Sequence, residues 1–240
     1  MDPNVIADFE DAQRRAIALL AHLHARLEVG MSERDIAGLS EALLPDFGFE
    51  GWFHPPEVQI GVHTAQAPIW RIPSPRIRLF RGDMLMISLG PWAGRAFGDI
   101  GSTVVFQGEE PPLLEVARSC TRATCGYASR FKCVGELFIY AHTWALNHRM
   151  EMANYRSIGH ALLPAEGWHG AHFPRTAHAA TWLRRHQVHF LNPLRMQGLY
   201  ALRPQITDGR LGAAFQEVVL VNGDEHRVLG RANDADVGRF

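Results

Sequence analysis

The chain has 240 residues, 47% of them hydrophobic, which is enough to bury the core of one large domain or two small ones. Its 24 Lys and Arg nearly balance its 25 Asp and Glu, and no basic run carries interleaved aromatics, which argues against nucleic acid and anionic membranes as partners. The N-terminus is acidic before it is apolar, the reverse of a signal peptide, and no segment is long and apolar enough to span a bilayer. We therefore expect a cytoplasmic protein with a small molecule or another protein as its partner.

The cysteines show neither a disulfide framework nor a metal-binding pattern. Cys120, Cys125 and Cys133 are odd in number and lack CxxC spacing. Because they lie in or beside segments with helical periodicity, we expect buried thiols outside disulfides.

Two helices are predicted at the start of the chain. Asp2 and Pro3 are typical of an N-cap and first turn, and apolar residues then recur at helical spacing until Gly30. Ser32 and Asp35 resemble a capping box, which predicts a second helix that ends before Pro45.

Short apolar runs between residues 57 and 106 predict strands and hairpins. These runs are EVQIGV, MLMISL and STVVF, and Pro- and Gly-rich stretches separate them. The same order then recurs, with helical spacing over 113–127 and 134–148 followed by strand-like runs in GLYALR and AAFQEVVLV. Because neither half covers its own sheet, this repeat predicts one domain with an internal two-fold.

This order of elements, together with two local motifs, resembles the pita-bread fold of methionine aminopeptidase, aminopeptidase P, prolidase and creatinase. The run RGDMLMISLG resembles the family strand PGD-x-x-x-x-D-x-G, and GDIGSTVVFQGEEPP resembles the D-[IV]-[TS]-R-[TS] strand that follows it. The resemblance covers essentially the whole chain. It implies a single α+β domain over residues 1–240, in which two pairs of helices cover a curved, mainly antiparallel sheet with an internal pseudo-two-fold.

The resemblance also assigns positions to the five metal ligands of the family. Ser88 stands where the first Asp is expected, Asp99 keeps the second, and His160 in SIGHALL matches the histidine of the GHGIG stretch. Arg203 in YALRPQI occupies the Glu of T-[VI]-E-P-G, and Gln216 in FQEVVLV aligns with the last Glu.

The last of these positions has an alternative. A shift of one residue places Glu217 there, although such a shift turns a strand side chain to the opposite face. With Gln216 in place, Asp99 and His160 are the retained ligands. One Asp and one His do not hold two cations, so we expect neither a bound metal ion nor a cofactor.

Electrostatics predicts how the site replaces its metal ions. Carboxylates clustered without cations repel each other and resist ionisation, so losing the cations favours losing acids. Ser88 and Gln216 are neutral polar replacements, and the guanidinium of Arg203 is predicted to balance the charge of Asp99. Either this ion pair serves packing, or Arg203 binds a substrate carboxylate or phosphate beside Asp99 and His160.

Two histidines outside the metal shell also have family positions. Ile69 occupies the first, and His63, six residues earlier, is a candidate to enter the pocket in its place. Gly167 occupies the second, and a short insertion would bring His169 or His172 of WHGAH into it.

Aromatic residues are predicted near the mouth of the pocket. Trp52, Phe53, His54, Trp70 and Trp168 lie in or beside loops that approach the pocket in this fold, where they either line a ligand or belong to core edges or a dimer contact. By the same analogy Arg71 adjoins the pocket.

Three functions remain open. The first is a metal-independent enzyme that performs acid/base hydrolysis, elimination or isomerisation of a small anionic, amino-acid-like substrate. Its candidate catalytic residues are His160, Asp99, His169 and His172, and its candidate substrate-binding residues are Arg203, Ser88, Gln216, Glu217, His63, Trp70 and Arg71. The second is a non-catalytic binding protein, and the third is a divergent aminopeptidase with one metal ion held by Asp99, His160 and a histidine of WHGAH. Homodimers are common in the resembled family, so a homodimer is a further expectation.

Overall fold

A computed structural model describes residues 2–67, 72–164 and 187–231. Helix α1 spans Pro3–Ala25, and the Asp2 side chain caps it by accepting a hydrogen bond from the Asn4 backbone N–H at 2.9 Å. Helix α2 spans Glu33–Leu43, and both hydrogen bonds of the Ser32 and Asp35 capping box are present. Both predicted helix starts are therefore confirmed.

The first sheet follows these helices. Strand β1 (Gly51–Ile60) pairs with β2 (Met84–Ala93), which also pairs with β3 (Ala96–Phe97) and β4 (Ile100–Val105), and all these pairs are antiparallel. The predicted run EVQIGV ends as a strand at Ile60, because Gly61–Ala65 forms a 3-10 turn.

The second half repeats the order of helices and strands. Helices α3 (Pro112–Gly126) and α4 (Val134–Asn147) precede two further sheets. One sheet contains β6 (Gly159–Pro164), β7 (Gly198–Leu202), β10 (Glu217–Asn222) and β11 (Glu225–Val228), in the order β11-β10-β7-β6. The other contains β5 (Glu151–Met152), β8 (Gln205–Thr207) and β9 (Gly212–Ala214). The predicted α+β class is therefore confirmed.

The strand predicted over AAFQEVVLV is interrupted. Strand β9 ends at Ala214 and β10 begins at Glu217, and between them Gln216 forms an isolated bridge with Gly101 of β4. The Gln216 N–H donates to the Gly101 carbonyl at 2.8 Å. This bridge joins the first sheet to the strands of the second half.

In the described part of the chain, the core consists of two hydrophobic clusters that share the sheet of β6, β7, β10 and β11. One cluster contains residues of α1, α2 and the first sheet, and the other contains residues of α3 and α4. Along β7, Leu199 and Ala201 belong to the first cluster, whereas Tyr200 and Leu202 belong to the second. Both faces of this strand are buried, which explains its continuous apolar run.

Within the described ranges, no helix is both long and apolar enough to cross a membrane.

Candidate functional site

Asp99 lies at the centre of the candidate site, just before β4, and its side chain is fully buried. The Gln13 side chain, on α1, forms hydrogen bonds with both the backbone N–H and the backbone carbonyl of Asp99. The Asp99 N–H donates to Gln13 Oε1 at 2.8 Å, and Gln13 Nε2 donates to the Asp99 carbonyl at 3.1 Å. Helix α1 therefore fixes the position from which the carboxylate reaches into the site.

Among the residues that the structure describes, three side chains contact the Asp99 carboxylate. His54 Nε2 is 3.3 Å from Oδ1, and Gln216 Nε2 donates a hydrogen bond to the same oxygen. His160 Nε2 lies 2.9 Å from Oδ2, which is ion-pair distance, but the two groups are not aligned as a hydrogen bond. The imidazole of His160 therefore lies directly against the Asp99 carboxylate.

His54, on β1, is held as a cation. Its Nε2 faces the Asp99 carboxylate, and its Nδ1 lies 3.0 Å from the Pro55 carbonyl. A carbonyl only accepts, so both ring nitrogens are placed to donate, as in imidazolium. Burial by itself lowers the pKa of His54, but the hydrogen bond and charge of Asp99, with a contribution from Glu57, outweigh it and raise that pKa to about 9.

Asp99 is the matching anion. Burial by itself raises the pKa of its carboxyl, but the adjacent His160 and His54 outweigh this effect and lower the pKa to about 2. The site therefore contains a buried carboxylate between two imidazoles.

Ser88 and Gln216 extend this polar cluster. Ser88 Oγ, on β2, donates to Gln216 Oε1 at 2.9 Å, and the Gln216 amide donates in turn to Asp99. Both residues are buried. Gln216 thus occupies the position for which two residues were predicted as alternatives.

Glu217 faces elsewhere. Its carboxylate pairs with Arg231, which approaches through Nε at 3.2 Å and through Nη2 at 2.8 Å. Because successive strand side chains point to opposite faces, the contact between Gln216 and Asp99 turns Glu217 away from that carboxylate.

The predicted ion pair between Arg203 and Asp99 is wrong. Arg203 Nη1 donates instead to Glu57 Oε2 at 2.6 Å. The physical reason is that His54, His160 and Gln216 already surround the Asp99 carboxylate. Arg203 Nη2 is buried and makes no hydrogen bond with any described residue.

The other predicted site residues divide into two groups. His63 Nδ1 lies 2.7 Å from Oε1 of the buried Glu33, which also accepts from the Ile60 N–H, so the contact described for His63 is with the start of α2. The substrate-binding role of His63 stays a prediction. The remaining candidates, His169, His172, Trp70 and Arg71, lie outside the described residues.

Sequence reasoning missed the roles of His54, Glu57 and Gln13. His54 was expected in or beside a loop at the pocket mouth, but it lies on a strand and is buried. In GWFHPPEVQI the two prolines obscure the alternation that marks His54 and Glu57 as polar positions within an apolar strand. Gln13 gave a usable signal, since it is a polar residue on the apolar face of α1.

Known proteins resemble the chain in sequence pattern and in fold. The sequence model of metallopeptidase family M24 matches residues 7–223. Among solved structures, X-Pro aminopeptidase from Thermotoga maritima superposes with a TM-score of 0.75 at 19% identity, covering 98% of this chain and 63% of that one. Prolidase from Pyrococcus furiosus gives a TM-score of 0.73 at 18% identity, covering 97% and 65%.

Methionine aminopeptidase from Thermotoga maritima gives a TM-score of 0.70 at 12% identity, covering 96% of this chain and 98% of that one. This chain thus spans the full length of that relative but less than two thirds of the X-Pro aminopeptidase and the prolidase. None of the curated proteins matches the sequence. At such low identity the structural likeness establishes the fold alone.

Proposed function

This chain belongs to metallopeptidase family M24, and from that premise we propose that it is a metal-independent enzyme that acts on a small, amino-acid-like substrate bearing an anionic group. The reaction is an acid/base hydrolysis, elimination or isomerisation. One observation carries the proposal: a buried Asp99 carboxylate contacts two imidazoles, one of which is fixed as a cation. The pairing keeps a negative charge inside the pocket without a metal ion.

Donor chemistry supports metal independence. Family M24 is a metallopeptidase family, but the described residues include no group of three or more His, Cys, Asp or Glu side chains suited to hold a metal ion. His54 presents no lone pair when both of its nitrogens are protonated, and Ser88 is hydrogen-bonded to Gln216. Arg203 presents only N–H donors and therefore offers no lone pair to a metal ion. These residues do not fit a two-metal centre.

His160 is the proposed proton-transfer residue. Its side chain is 15% exposed, whereas Asp99 is fully buried. His160 Nε2 lies against the Asp99 carboxylate, so Nδ1 is the nitrogen that is proposed to exchange the proton with the substrate. Arg203 supplies a positive charge for the anionic group of the substrate. His169 and His172 remain further candidates for the acid or base.

A second function has its own supporting observation. Ser88, Gln216 and Asp99 are joined by a chain of hydrogen bonds, as expected of a site whose polar groups serve packing. This arrangement favours a non-catalytic binding protein. A mononuclear metallo-aminopeptidase additionally requires His169 or His172 to join Asp99 and His160.

The first experiment measures metal content. Purified protein is equilibrated with manganese, cobalt and zinc and analysed beside Asp99→Asn, His160→Ala and the exposed control His148→Gln. We expect substoichiometric metal in all four proteins. Near-stoichiometric metal that disappears in the Asp99 and His160 variants, but not in the control, would overturn metal independence.

The second experiment measures turnover without metal. Dipeptides, N-acyl amino acids and free amino acids are incubated with chelator-treated protein, and products are followed by NMR. For any compound that turns over, we expect His160→Ala to lose about 100-fold or more in rate while His148→Gln retains it. If no compound turns over although ligands stabilise the protein against heat, the binding-protein alternative is favoured.

A further inference from the structure

The ion pair between Glu57 and Arg203 joins the two halves of the molecule beside the Asp99 cluster. Glu57 lies on β1, and Arg203 directly follows β7. Their side chains are 20% and 11% exposed, and Arg203 Nη1 to Glu57 Oε2 is 2.6 Å. Glu57 is paired with Ser88 of β2 in the ladder between β1 and β2, which places the ion pair next to the buried cluster.

The pair leaves hydrogen-bonding capacity unused. A guanidinium presents five N–H donors in a rigid fork, and a carboxylate offers two oxygens. The contact uses Nη1 of Arg203 and Oε2 of Glu57, while Nη2 is buried without a hydrogen-bond partner among the described residues. An orphaned buried donor is costly, and a ligand oxygen that accepts from it recovers that cost.

The charges of the pair determine which ligand complements it. Glu57 neutralises Arg203, so a simple anion meets a dipole with little net attraction, because the attraction of the guanidinium is offset by the repulsion of the carboxylate. A ligand that carries adjacent negative and positive charges is attracted by both groups. Its carboxylate faces Arg203 Nη2, and its ammonium faces the carboxylate of Glu57.

We propose that Glu57 and Arg203 form a subsite for a zwitterionic group, the adjacent ammonium and carboxylate of an α-amino acid. The ligand extends the ion pair into an alternating set of four charges, and the pair itself stays intact. This inference rests on the proposed function, in which Arg203 binds the anionic group of the substrate. It adds Glu57 as the residue that distinguishes a zwitterion from a plain anion.

Binding by the full chain tests the subsite. The twenty protein amino acids are first screened by thermal shift at millimolar concentrations. The best amino acid is then compared by calorimetry with its matched carboxylic acid and its matched amine, for instance leucine with 4-methylpentanoate and 3-methylbutylamine. We expect the amino acid to bind at least tenfold more tightly than either. Equal or tighter binding of the carboxylic acid, or no stabilisation by any amino acid, would overturn the subsite.

Variants of Glu57 and Arg203 test which residue is responsible for the preference for the amino acid over its carboxylic acid. Glu57→Gln removes the negative charge but keeps the size, so the preference for the amino acid over its carboxylic acid falls at least tenfold. Arg203→Gln weakens binding of both. The control Glu110→Gln breaks a surface pair with Arg118 of the same 2.6 Å length and leaves binding unchanged. If Glu57→Gln does not fold, Glu57→Asp is used instead. Its shorter side chain moves the carboxylate away from the ligand and also reduces the preference for the amino acid over its carboxylic acid.

This test separates the subsite from the proposed function. Amino-acid binding that persists in His160→Ala supports the subsite even where no compound turns over. Turnover that depends on His160 but shows no preference for zwitterions over matched anions overturns the subsite and leaves the proposed function standing.

Discussion

The charge of Asp99 depends on the residues around its carboxylate. A buried carboxyl without partners stays neutral, since burial disfavours the ionised form. Here His54 Nε2 faces one carboxylate oxygen, its Nδ1 faces the Pro55 carbonyl, and the Gln216 amide donates a further hydrogen bond to the same carboxylate oxygen, which favours the ionised form of Asp99. The two residues therefore carry opposite charges that stabilise each other.

The pH dependence of stability should report this pair. The folded pKa of His54, about 9, lies above its ordinary value of 6.5, so its contribution is fully present below about pH 6.5 and is lost as the pH rises through about 9. We expect the free energy of unfolding of the wild type to fall towards that of His54→Gln over this range. Urea unfolding at pH 6, 7.5 and 9.5 measures the difference.

The contribution of Asp99 to the free energy of unfolding depends on pH in the opposite direction. Its folded pKa, about 2, lies below 3.8, so the contribution is present above about pH 3.8 and is lost as the pH falls through about 2. His148→Gln, which removes an exposed histidine, controls for titration elsewhere. The His54 experiment has a clear contrary outcome. If the difference in free energy of unfolding between wild type and His54→Gln is the same at pH 6 and 9.5, His54 is not the cation described here.

At this scale the sequence predicted some residues of the site but not their pairing. Asp99, Ser88 and Gln216 were found from strand motifs, and the structure brings all three together. The partner of Arg203 was not predictable, because it depends on how closely strands from opposite halves approach, and Glu57 carried no motif.

At the scale of elements, His54 of β1 lies opposite Gly90 of β2 in the antiparallel ladder. A Cβ atom added at Gly90 would lie 2.5 Å from Cδ2 and 2.6 Å from Nε2 of His54. Glycine at this position therefore leaves room for the imidazole that reaches Asp99.

Gly90→Ala should displace the His54 ring. We expect the free energy of unfolding to fall by about 1–3 kcal/mol, as for other overpacked interiors, and the stability change between pH 6 and 9.5 to shrink. Gly38→Ala is the matched control, because nothing lies within 4 Å of a Cβ atom added there on α2. That control should be stabilised by up to about 1 kcal/mol. A Gly90→Ala protein as stable as wild type would contradict the packing argument.

Local chemistry explains which elements were predictable. The Ser32 and Asp35 capping box lies within one turn of chain, so the sequence shows it directly. The break between β9 and β10 does not have a local cause, because Gln216 leaves the ladder to bridge Gly101, more than 100 residues earlier. The sequence AAFQEVVLV was therefore predicted as one strand.

At the scale of the whole molecule, the sheet built on β7 and β10 couples the two clusters. Val218 packs in the first cluster and Val219 in the second, and the Ser88, Gln216 and Asp99 hydrogen bonds cross between the sheets. Opening either cluster exposes one face of the shared sheet. Neither half is therefore stable while the other half is unfolded. The two halves should therefore unfold together, in one transition.

Ser32→Ala tests this coupling at a distance. Ser32 caps α2 in the first half, and its loss should cost about 1 kcal/mol. If unfolding is cooperative, the most protected amides of α4, in the second half, lose the same free energy of opening as those of α1, as measured by hydrogen exchange. If α4 keeps its protection while α1 loses it, the halves open independently. In that case the contacts between the halves, including the pair between Glu57 and Arg203, contribute too little free energy to couple their unfolding.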